Sequence, residues 1–365
     1  MPHNRPMTLE FSAAVKRIPA YPVAGGYAHQ GPLVRLASNE SPYPPLPEVI
    51  AAAAAALENV NRYPDPTSAT LRAALSGRYG VAVERIAVGN GSCDILLAAG
   101  EALLEPGAEL VHAWPSFSVY PQLEARSGAR AIRVPLDAQE RHDLDAMAAE
   151  VTVATRLVIV CNPNNPTSTA IGLDRIAAFV AAIPSQVCVL IDEAYCEFSL
   201  LDDPDASIDL LERHPNLVLL RTFAKVYGLC GLRAGYALCG SRDLPDALTQ
   251  IRQPFFLNAV AQAAATEALR HQDEVARRVE RVAIARVQMH DGLAELGLTP
   301  ADSQANFCWF DLGEGRDEPA IVRGLAEQGV LVRAGGALGK DGSLRVTYGT
   351  PSENERFLEV LATLL

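Results

Sequence analysis

Lys225 has the most distinctive chemical setting in the sequence. It lies between an apolar run, 217–220, and a glycine-containing turn that leads to Arg233. A lysine amine attacks an aldehyde only when it is neutral, and apolar neighbours together with a nearby cation lower its pKa towards that state. Because 217–220 reads as a buried parallel strand, Lys225 follows a carboxyl end, where open α/β sheets bind ligands. The pattern predicts a lysine that holds an aldehyde cofactor covalently, although a solvated loop lysine fits the same residues.

A carboxylate follows a second apolar run. Residues 189–191 read as a buried strand, Asp192 comes directly after them, and Tyr195 lies three residues further on. A carboxylate at this point could pair with a protonated pyridine nitrogen, so that the ring withdraws electrons from a substrate carbanion. Tyr195 could donate a hydrogen bond to a phenolic oxygen on the same ring. Taken alone, Asp192 fits a helix N-cap or a magnesium ligand equally well.

Asn165 belongs to a turn with two prolines, 161–167. The turn follows the predicted strand 157–160, and the prolines restrict its backbone. Asn165 could therefore be a rigid donor towards the same phenolic oxygen, although Asn-Pro pairs most often form simple turns.

A glycine-containing turn, 88–94, lies between a predicted strand and a predicted helix. Its glycines would let the N–H groups of Ser92 and Cys93 and the positive end of the helix hold a phosphate. The turn resembles a dinucleotide-binding fingerprint but has Asp94 in place of the third glycine. This difference disfavours a nucleotide-dependent dehydrogenase.

Two aromatic residues complete the set of candidates. Phe117 follows the predicted strand 109–112 and could stack on a flat cofactor ring or belong to the core. Tyr63 lies in the turn 62–66, which reads as a surface turn. From there a tyrosine could reach a phosphate across a subunit boundary.

Composition indicates an ordinary globular protein. The chain has 365 residues, 49% of them apolar and 20% charged, which is long enough for two domains that share a cleft. A net charge of −12 disfavours a nucleic-acid partner. The longest apolar run, 49–57, is far shorter than the roughly 18 residues of a membrane span, and no apolar signal segment is evident. Seven scattered cysteines without a C-x-x-C pair favour reduced thiols in the cytoplasm over disulfides or a metal site.

Helical and strand patterns alternate from residue 47 onwards. The strands predicted in the first part are 86–88, 109–112, 131–134, 157–161, 187–191 and 217–221. This alternation predicts an α/β fold whose large domain, 47–258, has a mainly parallel sheet flanked by helices. The elements predicted after it are helices 274–298, 318–328 and 352–364 and strands 306–312, 330–333 and 344–347. They predict a smaller α+β domain over 259–365, and residues 1–46 are expected to form an N-terminal arm that is part of it.

The order of these motifs resembles that of fold type I pyridoxal phosphate aminotransferases, and most closely the histidinol-phosphate aminotransferase subgroup. The segments that carry the resemblance are Asn39-Glu40-Ser41-Pro42, Arg62-Tyr63-Pro64, Gly89-Asn90-Gly91-Ser92, 162–167, Asp192-Glu193-Ala194-Tyr195, Lys225 with Arg233, and Leu344-Arg345-Val346-Thr347. They extend over nearly the whole chain and keep the family's order and spacing.

The resemblance implies that the cofactor is pyridoxal 5′-phosphate. Lys225 would be both its covalent attachment point and the general base. Asp192 would pair with the pyridine nitrogen, Tyr195 and Asn165 would bind the phenolic oxygen, and Phe117 would stack on the ring.

The resemblance also implies the groups that bind anions. The cofactor phosphate would be held by Ser92, Cys93, Thr222, Arg233 and, across the interface of a homodimer with shared active sites, Tyr63. Arg333 and Arg345 would bind substrate anions, because a guanidinium grips a carboxylate or a phosphate through two hydrogen bonds. Asn39 is the remaining implied substrate contact.

The implied reaction is ping-pong amino transfer from histidinol phosphate to 2-oxoglutarate. An aromatic amino acid aminotransferase is the alternative, because the sequence does not define the side-chain pocket. A threonine-phosphate decarboxylase would use similar anion-binding groups. A non-catalytic protein of the same fold would tolerate loss of Lys225, which this chain retains.

Three positions depart from the family's pattern. Ala224 replaces the hydroxyl residue that usually precedes the lysine, which removes a hydrogen bond to the cofactor phosphate worth about 1.5–3 kcal/mol. Ser168 stands where glycine is usual, and Cys93 stands where a polar or acidic residue is more common. These differences are expected to affect cofactor affinity and substrate choice more than the chemistry.

Overall fold

A computed structural model describes residues 9–18 and 31–365. Residues 1–8 and 19–30 of the predicted arm lie outside the described residues. The rest of the arm includes helix α1 (Ala13–Arg17) and strand β1 (Val34–Arg35). Arg17 Nε donates to the carbonyl of Ala125 over 3.2 Å, which places α1 against the large sheet's helical layer.

A seven-stranded sheet forms the centre of the fold. Its strands in chain order are β2 (Ile86–Gly89), β3 (Glu109–Trp114), β4 (Arg130–Pro135), β5 (Thr155–Cys161), β6 (Cys188–Asp192), β7 (Leu217–Thr222) and β8 (Gly235–Cys239). Their spatial order is β2-β8-β7-β6-β5-β3-β4. Strand β8 runs antiparallel to β2 and β7, whereas the other neighbouring strands are parallel. The predicted α/β fold with a mainly parallel sheet is confirmed, but β8 is missing from the sequence prediction.

Helices cover both faces of this sheet. They are α2 (Pro47–Leu57), α3 (Ala69–Tyr79), α4 (Ser92–Leu103), α5 (Tyr120–Ser127), α6 (Leu144–Ala149), α7 (Leu173–Ala182) and α8 (Asp243–Ile251). Alternate residues of each central strand enter separate cores, because successive side chains point to opposite faces. In β5, Val158 packs in the core that contains Ile176 of α7, and Ile159 packs in the core that contains Leu96 of α4. Burial on both faces explains why these strands are almost continuously apolar.

The C-terminal part adds a second, antiparallel sheet. Its elements are α9 (Ala259–Ala268), α10 (Gln272–Glu295), β9 (Phe307–Asp311), α11 (Glu318–Glu327), β10 (Val330–Leu331), β11 (Arg333–Ala334), β12 (Ser343–Thr347) and α12 (Pro351–Leu364). The sheet order is β11-β12-β9, and β10 pairs in parallel with β1 from the N-terminal part. Helix α9 packs against α2, and α10 packs against α12. A capping box formed by Thr350 and Glu353 begins α12.

No helix among residues 9–18 and 31–365 is long and apolar enough to span a membrane.

Gly235 allows β8 to approach the start of α4. A Cβ atom at this position would lie 2.3 Å from the backbone nitrogen of Ser92 and 2.7 Å from the carbonyl carbon of Gly91. We therefore expect Gly235→Ala to lower the free energy of unfolding by about 1–3 kcal/mol, because backbone atoms must move to make room. Thermal or urea-induced unfolding measures the loss.

Gly77 provides the matched control. It lies inside α3, and an added Cβ would meet nothing within 4 Å. Gly77→Ala should leave the free energy of unfolding unchanged or raise it by about 0.5–1 kcal/mol, since alanine is more stable than glycine in a helix interior. Equal stability of the two variants would contradict the close packing at Gly235.

Candidate active site

The carboxyl ends of β5, β6 and β7 open into one cavity of about 320 Å³. The structure brings every predicted site residue except Tyr63 to its lining. These residues are Asn39, Ser92, Cys93, Phe117, Asn165, Asp192, Tyr195, Thr222, Lys225, Arg233, Arg333 and Arg345. Most of them lie at the carboxyl ends of the central strands or in the segments that follow these strands. Arg333 and Arg345 come instead from β11 and β12 of the C-terminal sheet, and Asn39 comes from the segment before α2.

Lys225 projects into this cavity from the loop after β7. Its Nζ donates to the carbonyl of Ser38 over 3.2 Å and lies 5.5 Å from the centre of the Tyr195 ring. Burial is the main cause that lowers the pKa of Lys225 to about 8, and the nearby guanidinium of Arg345 acts in the same direction. A neutral, nucleophilic amine is therefore far more populated near neutral pH than it is for an exposed lysine.

Asp192 ends β6 and is buried. The hydroxyl of Tyr120 donates to its Oδ2 over 3.0 Å, and the N–H of Ala194 donates to its Oδ1 over 3.3 Å. Burial raises the pKa of Asp192 to about 6, while these two donors act in the opposite direction. The carboxylate is ionised at neutral pH and can accept a hydrogen bond from a cationic ring N–H.

Tyr195 is linked to the C-terminal sheet through Asn39. Asn39 Nδ2 donates to the Tyr195 hydroxyl over 3.0 Å, and Thr347 Oγ1 of β12 donates to Asn39 Oδ1 over 3.1 Å. The buried Asn39 has a φ of 53°, a left-handed conformation that asparagine tolerates better than most residues. Burial raises the pKa of Tyr195, so its hydroxyl stays protonated and can donate to an anionic oxygen.

The start of α4 forms a compact anion-binding cradle. Gly91 occupies the N-cap position without a side-chain cap, so N–H groups at Ser92 and beyond point out from the positive end of the helix. A Cβ on Gly91 would lie 2.3 Å from Arg233 Nη2, which shows how closely the guanidinium approaches this turn. The hydroxyl of Thr222 lies on the same cavity and accepts from the N–H of Ala224 over 3.0 Å. Helix N–H groups, a guanidinium and a hydroxyl are the donor set that suits a phosphate monoester.

Arg333 and Arg345 are direct cross-strand partners in β11 and β12. Both are buried and line the cavity. Arg345 donates to Asn165 Oδ1 and to the carbonyl of Ala37, each over 2.6 Å. Two guanidiniums at opposed positions repel each other, so an anion bound between them would be stabilised by both.

Tyr63 lies away from the cavity. It is 80% exposed, and its ring stacks on Phe255 with 4.4 Å between the ring centres. The predicted contact of Tyr63 with the cofactor phosphate therefore requires a second subunit.

Sequence reasoning missed two residues that contact the central pair of charged groups. Tyr120 donates to Asp192 from the first residue of α5, and the backbone of Ser38 accepts from Lys225. The spacing of Tyr120, three residues after Phe117, is a weak signal for a shared location. Ser38 accepts through its backbone carbonyl, and because every residue has this group, the sequence cannot predict the contact.

Similarity to known proteins agrees with this arrangement. The family model for aminotransferase class I and II matches residues 31–361. This chain belongs to the class I and II aminotransferases. Members of this family use pyridoxal 5′-phosphate, and the cradle, the buried Asp192 and the amine of Lys225 fit its phosphate, its ring nitrogen and its aldehyde.

The relatives of this chain are named for two different activities. The chain is 43% identical to an aromatic amino acid aminotransferase of Nocardia farcinica over 98% of both chains. It is also 43% identical to histidinol-phosphate aminotransferase 1 of Cupriavidus pinatubonensis, over 91% of this chain and 88% of that protein. The crystal structure of histidinol-phosphate aminotransferase from Sinorhizobium meliloti in complex with pyridoxal-5′-phosphate superposes with a TM-score of 0.88. The two are 29% identical, over 99% of this chain and 100% of that one.

The low pKa of Lys225 can be measured without turnover, because the chain has only two other lysines, Lys16 and Lys340. In the cofactor-free protein, modification of Lys225 by an amine-directed reagent should increase with pH around a midpoint near 8, as the neutral amine forms. Lys340 donates to Asp311 and Glu140, and these contacts raise its pKa despite the opposing effect of burial. Its modification should therefore begin only at higher pH. Mass spectrometry of the peptides gives both profiles, and coincident profiles would contradict the assignment.

Proposed function

We propose that this pyridoxal phosphate-dependent aminotransferase moves an amino group between 2-oxoglutarate and an amine that carries an aromatic ring and an anionic group. When bound, pyridoxal phosphate supplies an aldehyde that receives the amino group and a ring that withdraws electrons from the substrate carbon. The observation that carries the proposal is the buried pair Arg333 and Arg345 on the wall of the cavity that contains Lys225.

In this proposal the protein's own residues have separate tasks. Lys225 Nζ holds the cofactor and moves a proton to and from the substrate carbon, which its lowered pKa favours. Asp192 keeps the ring nitrogen protonated through its ionised carboxylate. Tyr195 and Asn165 bind the phenolic oxygen, and Phe117 stacks on the ring.

The remaining groups hold anions in place. Ser92, Cys93, Thr222 and Arg233 bind the cofactor phosphate at the start of α4. Arg333 and Arg345 bind the substrate anion, and Asn39, which lines the same cavity, is the third substrate contact.

Histidinol phosphate is the first candidate donor. Two opposed guanidiniums match a doubly charged ligand, and both 2-oxoglutarate and a phosphate monoester carry about two negative charges at neutral pH. One pocket could then serve both half-reactions with the same charge balance. Support also comes from the similarity to the histidinol-phosphate aminotransferases of Cupriavidus pinatubonensis and Sinorhizobium meliloti.

An aromatic amino acid is the second candidate donor. It is supported by the name of the Nocardia farcinica relative, which matches this chain over a larger share of its length at the same identity. A single carboxylate would bind one of the two guanidiniums, and the aromatic ring would occupy the apolar part of the cavity.

A substrate panel tests the proposal. The cofactor-loaded protein is supplied separately with histidinol phosphate and phenylalanine, and 2-oxoglutarate-dependent formation of glutamate is measured. We expect a larger kcat/KM for histidinol phosphate; a larger value for phenylalanine would select the second candidate. No glutamate from either amine would contradict the proposal. Threonine phosphate is supplied separately without an oxo acid, and release of carbon dioxide from it would indicate a decarboxylase instead.

Arg333→Ala provides a more specific prediction for the same panel. Loss of one charge-assisted contact should cost about 1.5–3 kcal/mol, which raises the KM for 2-oxoglutarate on the order of tenfold to a hundredfold. The exposed Arg356, which is 3.7 Å from Glu359 on α12, provides the control substitution Arg356→Ala. Equal KM values for the two variants would show that Arg333 does not bind the acceptor.

We further propose a cytoplasmic homodimer in which Tyr63 of one subunit reaches the cofactor phosphate of the other. The exposed Tyr63–Phe255 stack supports an interface at this position, because large aromatic side chains are enriched in subunit contacts. The seven cysteines, all within residues 31–365, form no disulfide, which is consistent with a reducing compartment.

Tyr63→Phe should weaken cofactor binding although Tyr63 lies outside the cavity of its own chain. Loss of one hydrogen bond to a charged group predicts a Kd on the order of tenfold higher, with the dimer retained. Equilibrium dialysis and analytical ultracentrifugation measure the two properties. Unchanged affinity, or a monomeric protein with full activity, would contradict shared active sites.

A further inference from the structure

A buried ion pair lies directly behind the two central charged residues of the cavity. Arg221 Nε donates to Glu193 Oε2 over 2.7 Å, and their side chains are 1% and 7% exposed. Neither side chain lines the cavity. Their neighbours in sequence, Thr222 and Asp192, do line it.

Strand geometry explains this division. Strands β6 and β7 are parallel neighbours, and the N–H of Glu193 donates to the carbonyl of Leu220 over 2.8 Å, so the pairing continues past the end of β6. Successive side chains of a strand point to opposite faces. Asp192 and Thr222 therefore face the cavity, whereas Glu193 and Arg221 meet on the opposite face and join the same two strand ends.

The guanidinium of Arg221 is engaged at all three nitrogens. Besides the bond to Glu193, Nη1 donates to Asp205 Oδ1 over 2.7 Å, and Nη2 donates to the carbonyl of Pro204. Such a planar group with several charge-assisted bonds has little freedom to shift. Only three residues separate Arg221 from Lys225. The contacts of Arg221 therefore fix the end of β7, from which the loop that carries Lys225 begins.

We propose that Arg221 and Glu193 are positioning residues that set the separation between the carboxylate of Asp192 and the amine of Lys225. The inference rests on the roles proposed above for Asp192 and Lys225. A buried ion pair adds little net stability compared with an apolar pair of similar size, so stability alone gives a weak reason for its presence. Geometry gives a stronger one, because displacement of a reacting group by about 1 Å can cost on the order of a hundredfold in rate.

Three variants and a matched control test this role. Glu193→Gln keeps the shape but removes the charge, and Arg221→Lys keeps the charge but removes the planar group; the third variant combines both changes. Asp205→Asn is the control, because Asp205 binds the same guanidinium at the same distance but has no neighbour in the cavity. Each holoenzyme is characterised by its thermal midpoint, its cofactor Kd, the pH midpoint of the visible absorbance of the bound cofactor, and kcat and KM.

For both single variants we expect kcat to fall on the order of tenfold or more with a small change in KM, together with a shifted pH midpoint of the cofactor absorbance. The double variant should show less than the sum of the two single effects, because both weaken the same contact. Asp205→Asn leaves the Glu193 and Pro204 contacts of the guanidinium in place, so it should lower the thermal midpoint and change the absorbance midpoint and kcat much less than Glu193→Gln does. Glu193→Gln, as the most conservative change, carries the test if Arg221→Lys does not fold.

A purely structural role would give the opposite pattern. If Glu193→Gln lowers the thermal midpoint but retains the wild-type absorbance midpoint and kcat, the inference is overturned. The absorbance midpoint is read without substrate, so it is independent of the donor proposed above. A wild-type protein that binds the cofactor but transfers no amino group from either candidate amine would contradict the proposed function and leave this result interpretable.

Discussion

Burial of opposite charges at one edge of a parallel sheet is the constraint on which the site depends. Asp192 ends β6 and Lys225 follows β7, so both groups reach the same cavity from neighbouring strands. Burial raises the pKa of the carboxylate to about 6 and lowers that of the amine to about 8. Both values lie close to neutral pH, where an acid–base pair is most useful for moving protons.

Contacts from distant parts of the chain hold these groups in position. Asn39 joins Tyr195 to Thr347 of the C-terminal sheet, and Arg345 joins the same sheet to Asn165. The cavity therefore forms only when the central sheet, the C-terminal sheet and the segment around Asn39 are assembled together. The Arg345 and Asn165 side chains share a hydrogen bond. In the proposed function, a substrate anion bound at Arg345 would therefore act directly on a residue assigned to the cofactor.

Much of this arrangement could be predicted from the sequence. The central strands are almost continuous apolar runs, and polar segments that contain Asp192 or Asn165 lie at their ends, so the pattern predicts strand ends and candidate site residues together. Strand β8 was missed because it follows the lysine loop closely and runs antiparallel, without the intervening helix that marks a parallel crossover. Tyr120 and Ser38 were missed because their roles depend on tertiary contacts with Asp192 and Lys225. Tyr63 lies on the surface of its own chain, and no sequence pattern gives the position of a second subunit.

Borohydride reduction followed by peptide mapping tests whether the cofactor is attached covalently to Lys225. Reduction fixes the cofactor to whichever amine holds it, and Lys16 and Lys340 are the other lysines in the chain. We expect one pyridoxyl group per chain, on the peptide that contains Lys225, and its loss in Lys225→Ala. Stoichiometric labelling of Lys16 or Lys340, or undiminished labelling in Lys225→Ala, would contradict it.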